Sequence, residues 1–166
     1  AWRNSKAEYL VYAFLYKEGE MIVAESRLFD AYTGRQAVGL RLRGHEKFPR
    51  AVAHRFSEEI IRAVDGTPGI GTSEICFSAG RTGNKEIYMA DYDGANVVQV
   101  THHNSISILP RLSPNGTKIA YLSYKDRYPY LYIYDRNTGQ TSTLSKRVGL
   151  NASPAWSPDG SQVAVV

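Results

Sequence analysis

Apolar and polar positions alternate along three stretches in the first part of the chain, residues 9–16, 21–30 and 36–43. Val, Ile, Tyr and Phe recur in these stretches, as is typical of strands that bury one face. Glu18-Gly19 separates the first stretch from the second, and Tyr32-Thr33-Gly34 separates the second from the third. Such short turns connect neighbouring antiparallel strands. The pattern therefore predicts a three-stranded antiparallel meander.

A helical period follows the meander, because apolar residues then recur at every fourth position. Pro49 suits a first helical turn, and Gly66 stands where a C-terminal cap belongs. The recurring residues are Phe48, Val52, Phe56, Ile60 and Val64. We expect this helix to cover one sheet face in a small α+β domain over residues 1–65, with residues 66–71 as a linker. Three strands and one helix leave a face or an edge uncovered, so we expect this domain to be incomplete.

A repeat with a period of 44 residues occupies the rest of the chain. The stretch "PRLSPNGTKIAYL" at residues 110–122 matches "PAWSPDGSQVAVV" at residues 154–166 position for position. One period earlier, residues 73–77 align with residues 117–121, although the proline turn is absent there. Proline followed by Asn or Asp and then Gly favours tight turns between strands.

The complete copy of the repeat holds four strand-like runs, at residues 109–112, 118–123, 130–135 and 140–144. An ungapped period of this kind is typical of a propeller blade, although solenoids and sandwiches also repeat strands. We therefore interpret residues 72–166 as a partial all-β propeller, with two four-stranded blades and the first hairpin of a third. Because propellers close with about four to eight blades, we expect a truncated chain that self-associates through its exposed blade edge.

Composition narrows the classes of function. The chain has 20 Lys and Arg residues and 16 Asp and Glu residues, for a net charge of +4. No basic stripe is visible, and the cluster Lys125-Asp126-Arg127 includes its own counter-charge, so we expect no nucleic-acid partner. No apolar run reaches about 18 residues, which argues against direct membrane insertion. The single cysteine, Cys76, is expected to be a buried structural thiol.

Motifs for catalysis and cofactor binding are missing from the sequence, which has no Gly-x-Ser-x-Gly elbow, phosphate-binding loop or Cys-x-x-Cys pair. His102 and His103 are adjacent, and neighbouring side chains of an extended chain point to opposite faces. We interpret them as solvated loop residues. Asp91 and Asp135 recur at the ends of equivalent strands and are predicted to cap the following turns. We therefore expect no enzyme activity, no metal and no cofactor.

Two segments of the first domain, "SRLFDAYTGRQ" and "VAHRFSEEIIRAVDG", precede the repeats "SPNGTKIAYLS" and "AWSPDGSQVAV". In this order they resemble the TolB family, and the resemblance covers essentially the whole chain. It implies a six-bladed propeller, a periplasmic location and a non-enzymatic scaffold of the Tol-Pal envelope-integrity system. It also implies that the propeller mouth binds the peptidoglycan-associated lipoprotein Pal, and that the protein contacts other Tol proteins.

An alternative function comes from the same turns, because prolyl-oligopeptidase-like serine peptidases also carry them in their propellers. In such an enzyme this propeller would restrict access to a hydrolase domain elsewhere in the protein. A gene that ends with the propeller would favour the scaffold, whereas a following hydrolase domain with a nucleophile elbow would favour the peptidase.

The resemblance also indicates where a partner would bind. Binding residues commonly lie on loops held by a rigid scaffold, and in this family the innermost strand of each blade begins near the proline of the repeat. The candidate partner-binding residues are His103, Asn104, Ser105, Ile106, Ser107 and Ile108 before Pro110, and Leu150, Asn151 and Ser153 around Pro154. For Ile106 and Ile108, packing between blades is an equally good interpretation.

Overall fold

The computed structural model describes residues 6–147, 149 and 151–166. The chain divides into two compact units, the first ending at Ser73 and the second beginning at Glu74. Each unit has its own sheets and its own buried residues.

The first unit contains a three-stranded antiparallel sheet in the order β1-β2-β3. β1 spans Tyr9–Glu18, β2 spans Met21–Asp30 and β3 spans Gln36–His45. The predicted strands are therefore confirmed, and β1 and β3 extend beyond their predicted ends. Gly19 adopts a φ of 62° in the turn between β1 and β2, a conformation that glycine reaches without steric cost.

One helix follows the sheet in the described part of the first unit. α1 spans Pro49–Asp65 and has proline in its first turn. Gly66 ends the helix at a φ of 72° and donates its N–H to the Arg62 carbonyl at 3.0 Å. The predicted helix and its glycine cap are therefore confirmed. Among the described residues, no helix combines the length and the hydropathy that crossing a membrane requires.

α1 packs on β2 and β3, and its residue Val52 is buried there. Gly44 of β3 makes this contact close, because a Cβ atom at that position would overlap the Cγ2 atom of Val52. The first and last of the predicted recurring apolar residues are more exposed than expected for a stripe that covers the sheet. Phe48 is 66% exposed and Val64 is 37% exposed. Phe48 precedes the first helical residue and contacts the ring of His45. Only the middle of the stripe therefore covers the sheet.

β1 is the least covered strand of this sheet. It pairs with β2 along its whole length and with no other strand among the described residues. Leu15 is 73% exposed, while Tyr12 and Phe14, on the opposite face, are 53% and 57% exposed. An apolar groove lined by Leu15 and Phe56 separates β1 from α1. The helix therefore covers two strands of the three.

The end of the predicted linker, Gly71, and the residue after it, Thr72, lie against α1. Glu58 accepts the backbone N–H and the hydroxyl of Thr72 at 2.9 and 2.8 Å, and these hydrogen bonds hold the pKa of its carboxyl below its usual range. A Cβ atom at Gly71 would lie 3.1 Å from the carbonyl oxygen of His54. A side chain at this position would therefore need the segment or the helix to move by a few tenths of an ångström.

The second unit contains three antiparallel sheets in the described residues, in the orders β4-β5-β6, β10-β9-β8-β7 and β11-β12. The strands of the first sheet are β4 Glu74–Ala79, β5 Glu86–Asp91 and β6 Val98–Gln99. Those of the second sheet are β7 Ser107–Leu112, β8 Lys118–Ser123, β9 Tyr130–Asp135 and β10 Thr141–Ser145. Those of the third sheet are β11 Ala155–Trp156 and β12 Val163–Ala164.

The strands of the second sheet lie where the sequence predicts them. β8 and β9 have the predicted bounds, β7 begins before its predicted first residue, and β10 is displaced by one residue. The prediction of four strands is wrong for the first sheet, which has three among the described residues, because no described strand in it corresponds to β7. Residues 66–73, where the proline turn of the repeat is absent, form turns and bends instead.

The two repeated turns share one hydrogen-bond pattern. Gly116 and Gly160 both have a φ of 71°, and each donates its N–H to the carbonyl of the serine at the start of the turn, at 2.8 and 2.9 Å. The serine hydroxyl then donates to Asn115 at 2.8 Å in one turn and to Asp159 at 2.5 Å in the other. This hydrogen bond, together with those from the backbone and side chain of Ser161, lowers the pKa of Asp159 to about 2.

The predicted capping aspartates are found at the ends of β5 and β9. Asp135 Oδ1 accepts the N–H of Asn137 at 2.9 Å, which confirms its predicted role. The carbonyl oxygen of Asp91 accepts the N–H of Gly94 at 2.9 Å, and its carboxylate accepts the side-chain amide of Asn96 at 2.7 Å. Asp91 therefore closes its turn through the backbone and holds the loop through its side chain.

The first two sheets of the second unit bury a common core between them. Its residues are Ile87, Met89, Ile119, Tyr121 and Tyr132. Burying a large apolar side chain contributes about 1.5–3 kcal/mol, so this core stabilises the contact between the two sheets. Cys76 packs against this core, and burial raises the pKa of its thiol to about 12. The thiol is therefore protonated at neutral pH, as expected of a structural cysteine.

A salt bridge also joins these two sheets. Arg136, which follows β9, donates to both carboxylate oxygens of Glu74 at 2.8 Å. Its Nη1 also donates to the carbonyl of Gly116 at 2.5 Å. Paired N–H···O bonds of this kind fix the relative position of the two groups.

We expect Gly44→Ala to lower the free energy of unfolding of the first unit by about 1–3 kcal/mol, because the new methyl group overlaps Val52. Gly39→Ala, in the same strand, is the matched control. Its Cβ atom would meet only the flexible side-chain amide of Gln36, at 3.0 Å. Urea unfolding followed by circular dichroism measures both variants, and equal stabilities would contradict the close contact.

We expect a double-mutant cycle with Glu74→Gln and Arg136→Gln to give a coupling energy of about 1 kcal/mol, because the pair is bidentate but 30–38% exposed. The helical pair Glu59 and Arg62, with one bond of 3.3 Å, is the reference. Its coupling should be below about 0.5 kcal/mol. Chemical unfolding measures both cycles, and equal coupling would show that the sheets do not depend on this bridge.

Candidate partner-binding site

The candidate loops lie at one edge of the second sheet. Neighbouring antiparallel strands alternate in direction, so the first residues of β7 and β9 share an edge with the last residues of β8 and β10. These residues are Ser107, Tyr130, Ser123 and Ser145. We call this edge the upper edge. The loop before β7 and the loop after β10 therefore leave the sheet on the same side.

His103 packs against the sheet. Its ring stacks on Tyr121 with the ring centres 6.0 Å apart, and its Nε2 lies 2.9 Å from the Tyr121 hydroxyl oxygen. Burial lowers the pKa of His103 and raises that of Tyr121 to about 12. Both groups are therefore neutral at neutral pH. The expectation of a solvated loop histidine is wrong for His103, because the sheet supplies it with an aromatic partner.

The rest of the first candidate loop divides into exposed and buried residues. Ile106 is 44% exposed, and its carbonyl accepts the N–H of Tyr124 at 2.9 Å. Ser107 is buried, and its hydroxyl donates to that of Ser123 at 3.0 Å. Ile108 is half-buried within β7. Ile106 is thus accessible to a partner, whereas Ser107 and Ile108 belong to the strand.

Asn104 and Ser105 complete the first candidate loop. Asn104 is exposed and adopts a φ of 51°, and its backbone N–H donates to Glu86 at 2.8 Å. Ser105 is half-buried. The side chain of Asn104 is therefore accessible, while its backbone is held in place.

The second candidate loop contains Asn151, which is only 2% exposed. Its Oδ1 accepts the Ser145 hydroxyl at 2.7 Å, and its Nδ2 donates to the carbonyl of Arg147 at 2.8 Å. Asn151 therefore shapes the loop from within. Ser153 is exposed, with a φ of 51°, and Leu150 lies outside the described residues.

Glu86 anchors the first candidate loop and is absent from the sequence-based prediction. It is 1% exposed, and its carboxylate accepts the Thr101 hydroxyl at 2.5 Å as well as the N–H of Asn104 at 2.8 Å. One period later in the repeat, the same position is occupied by Tyr130. This replacement of an aromatic residue by a carboxylate is the signal in the sequence that could have identified Glu86.

The loop between β8 and β9 is connected to the same edge. Tyr121 and Tyr132 lie with their ring centres 5.9 Å apart, and the Tyr132 hydroxyl donates to Asp126 at 2.9 Å. Lys146, after β10, donates to the same Asp126 oxygen at 2.7 Å. These two contacts lower the pKa of Asp126. A chain of contacts thus links His103 to the loop that follows β10.

Lys125 lies over the ring of Tyr132, with its Nζ 4.2 Å from the ring centre. This cation–π contact holds one cation of the β8–β9 loop close to the buried tyrosines. The upper edge therefore offers partly exposed loops on a rigid base of aromatic rings and buried hydrogen bonds. Such an arrangement can recognise a partner surface, because the loops lose little conformational freedom on binding.

Comparison with known proteins identifies the family. Residues 62–166 match the family described as the TolB beta propeller domain. The Tol-Pal system protein TolB of Desulfosudis oleivorans is 36% identical over 95% of this chain and 36% of its own length. The TolB homolog of Chlorobaculum tepidum is 40% identical over 82% of this chain and 31% of its own length. The chain therefore spans about a third of the length of these curated relatives.

A solved structure gives the same result. The crystal structure of TolB from Acinetobacter baumannii superimposes with a TM-score of 0.87 and 25% sequence identity, over 96% of this chain and 41% of that chain. The fold is thus of the TolB propeller type, with mostly strands and one helix among the described residues. From the match over residues 62–166, together with these relatives, the chain belongs to the TolB β-propeller family.

Proposed function

We propose that this chain is part of a non-enzymatic scaffold of the Tol-Pal system in the cell envelope. The observation that carries the proposal is the family match over residues 62–166, together with relatives named as Tol-Pal system proteins. A periplasmic location fits this role. The peptidase alternative has no support among these relatives and is not proposed.

The proposed architecture is a small α+β domain over residues 1–65, a linker over 66–71 and a propeller fragment over 72–166. Strand positions support blades with a 44-residue period, because β4 and β8 begin at Glu74 and Lys118, and β5 and β9 begin at Glu86 and Tyr130. The two complete turns with matching hydrogen bonds support the same period. Six such blades would close the ring in the full-length protein, in the range of about four to eight that propellers use.

The proposed partner site is the upper edge, where the propeller would bind Pal, with other Tol proteins as further partners. Asn104, Ile106 and Ser153 supply exposed side chains, and Leu150 is kept as a candidate from the sequence. The other candidates, His103, Ser105, Ser107, Ile108 and Asn151, position the loops from partly or fully buried sites. The contacts of His103 with Tyr121 and of Asn151 with Ser145 support this division.

We also propose that the isolated chain self-associates through the sheet edges of the propeller fragment. The third sheet has two strands of two residues each in the described part, and the adjacent Val165 and Val166 are 37% and 76% exposed. Unpaired strand edges with apolar side chains favour pairing with another chain. Light scattering would detect dimers or larger species, and a single monomer peak would contradict the proposal.

Titration of the full-length protein that carries this chain with soluble Pal tests the function. We expect saturable one-to-one binding in a calorimeter, because the proposed site occurs once at the propeller mouth. Absence of binding by a protein shown to be folded would overturn the scaffold proposal.

The residues are tested by Ile106→Glu and Ser153→Glu. Each variant should weaken Pal binding at least about tenfold, since a carboxylate would be desolvated in the interface. Ser142→Glu is the matched control, because Ser142 is exposed near the start of β10, at the end of the strand opposite the upper edge. Pal affinity equal to wild type in both test variants would contradict the site.

A further inference from the structure

Four cations lie in the two loops beside the upper edge, together with two tyrosines. We call this group the basic rim. Its members are Lys125, Arg127, Lys146, Arg147, Tyr124 and Tyr128. All belong to the loop between β8 and β9 or to the loop after β10.

The charge of the basic rim is not balanced within the fold. Asp126 is the one carboxylate in the described residues of these two loops, and Lys146 neutralises it at 2.7 Å. The contact lowers the pKa of Asp126, so its carboxylate stays ionised at neutral pH. Arg127 and Arg147 have no ion-pair partner among the described residues. The Asp126 carboxylate, which is the counter-charge within residues 125–127, is therefore already paired with Lys146 of the other loop.

The salt bridge also joins the two loops that carry Arg127 and Arg147, because Arg127 adjoins Asp126 and Arg147 adjoins Lys146. Arg127 adopts a φ of 72° in the turn closed by its N–H on the Tyr124 carbonyl at 2.9 Å. Non-glycine residues are uncommon in this conformation, and such strained positions cluster at binding sites.

Exposed aromatic surface accompanies these cations. Tyr128 is 63% exposed and lies 6.0 Å from the ring of Tyr130, while Tyr124 is 39% exposed. Tyrosine and arginine are, with tryptophan, enriched among the residues that contribute most to protein–protein interfaces, because they combine apolar area with polar groups. The rim therefore fits a partner segment that presents carboxylates beside apolar or aromatic side chains.

We propose that the basic rim binds an acidic segment of a protein partner, next to the residues that enter the propeller mouth. The inference rests on the proposed function only in taking the upper edge as the binding face. A protein segment fits better than a nucleic acid, because four cations confined to two loops do not form the extended basic stripe that follows a phosphate backbone. Complementary charge would speed association and select among partners.

The probe is a short fluorescein-labelled peptide of Glu, Gly and Trp, with a Lys, Gly and Trp peptide of equal length as its charge-reversed counterpart. Fluorescence anisotropy measures binding to the full chain. We expect the acidic peptide to bind and the basic peptide not to bind. Arg127→Ser with Arg147→Ser should weaken acidic-peptide binding about three- to tenfold. Binding should also weaken as salt rises, because exposed charges are screened.

The matched control is Arg111→Ser with Lys118→Ser, which removes the same charge from two exposed residues of β7 and β8 that lie outside the two loops of the rim. Equal weakening in the control would overturn the proposal, because net charge alone would then explain it. Tighter binding of a single-stranded oligonucleotide than of the acidic peptide would also overturn it, in favour of a nucleic-acid partner. Circular dichroism verifies that both double variants are folded.

Pal binding by the same rim variant of the full-length protein separates this inference from the proposed function. Loss of peptide binding with unchanged Pal affinity would support the rim as a site for another acidic partner. Peptide binding by a wild-type protein that does not bind Pal would support the rim while overturning the proposed function. Pal binding without any peptide binding would overturn the rim alone.

Discussion

Both faces of the central strands in the second unit must be covered, and the rest of that unit depends on this requirement. Five of the six residues of β8 and five of the six residues of β5 are buried. Successive side chains of a strand point to opposite faces, so each strand buries residues on both sides. A single sheet cannot satisfy this pattern. The sheets therefore stack, with Ile87 and Met89 in the same core as Ile119, Tyr121 and Tyr132, and the Glu74–Arg136 bridge joins them at a half-exposed position.

Stacking leaves the strand ends and their loops as the accessible surface. At the upper edge, the loops are held by contacts with residues that are already fixed in the core. His103 contacts Tyr121, Tyr121 packs against Tyr132, and Tyr132 holds Asp126. Asp126 in turn binds Lys146. Loops restrained in this way can present side chains with little ordering cost on binding.

The same contacts explain why the basic rim emerges from the tertiary structure. In the sequence, Asp126 stands between Lys125 and Arg127 and so appears to neutralise them. In the fold, its carboxylate accepts hydrogen bonds from Tyr132 and from Lys146 of the loop after β10. The arginines on either side of this bridge are then left without a carboxylate partner among the described residues. Charges counted along the sequence therefore suggest a neutralised cluster, whereas the contacts in the fold leave the two arginines without a carboxylate partner among the described residues.

The sequence by itself determined the strand positions, the helix with its Gly66 cap, and the repeated turns. These features depend on local periodicity and on the conformations that glycine, proline, Asn and Asp favour. It also located the candidate loops, but it did not distinguish their exposed residues, such as Ile106, from their buried ones, such as Asn151. Only the tertiary structure decided this, and it alone revealed the buried carboxylate of Glu86. The reason is that burial and long-range hydrogen bonds depend on residues brought together by strand pairing and sheet stacking, which no local pattern encodes.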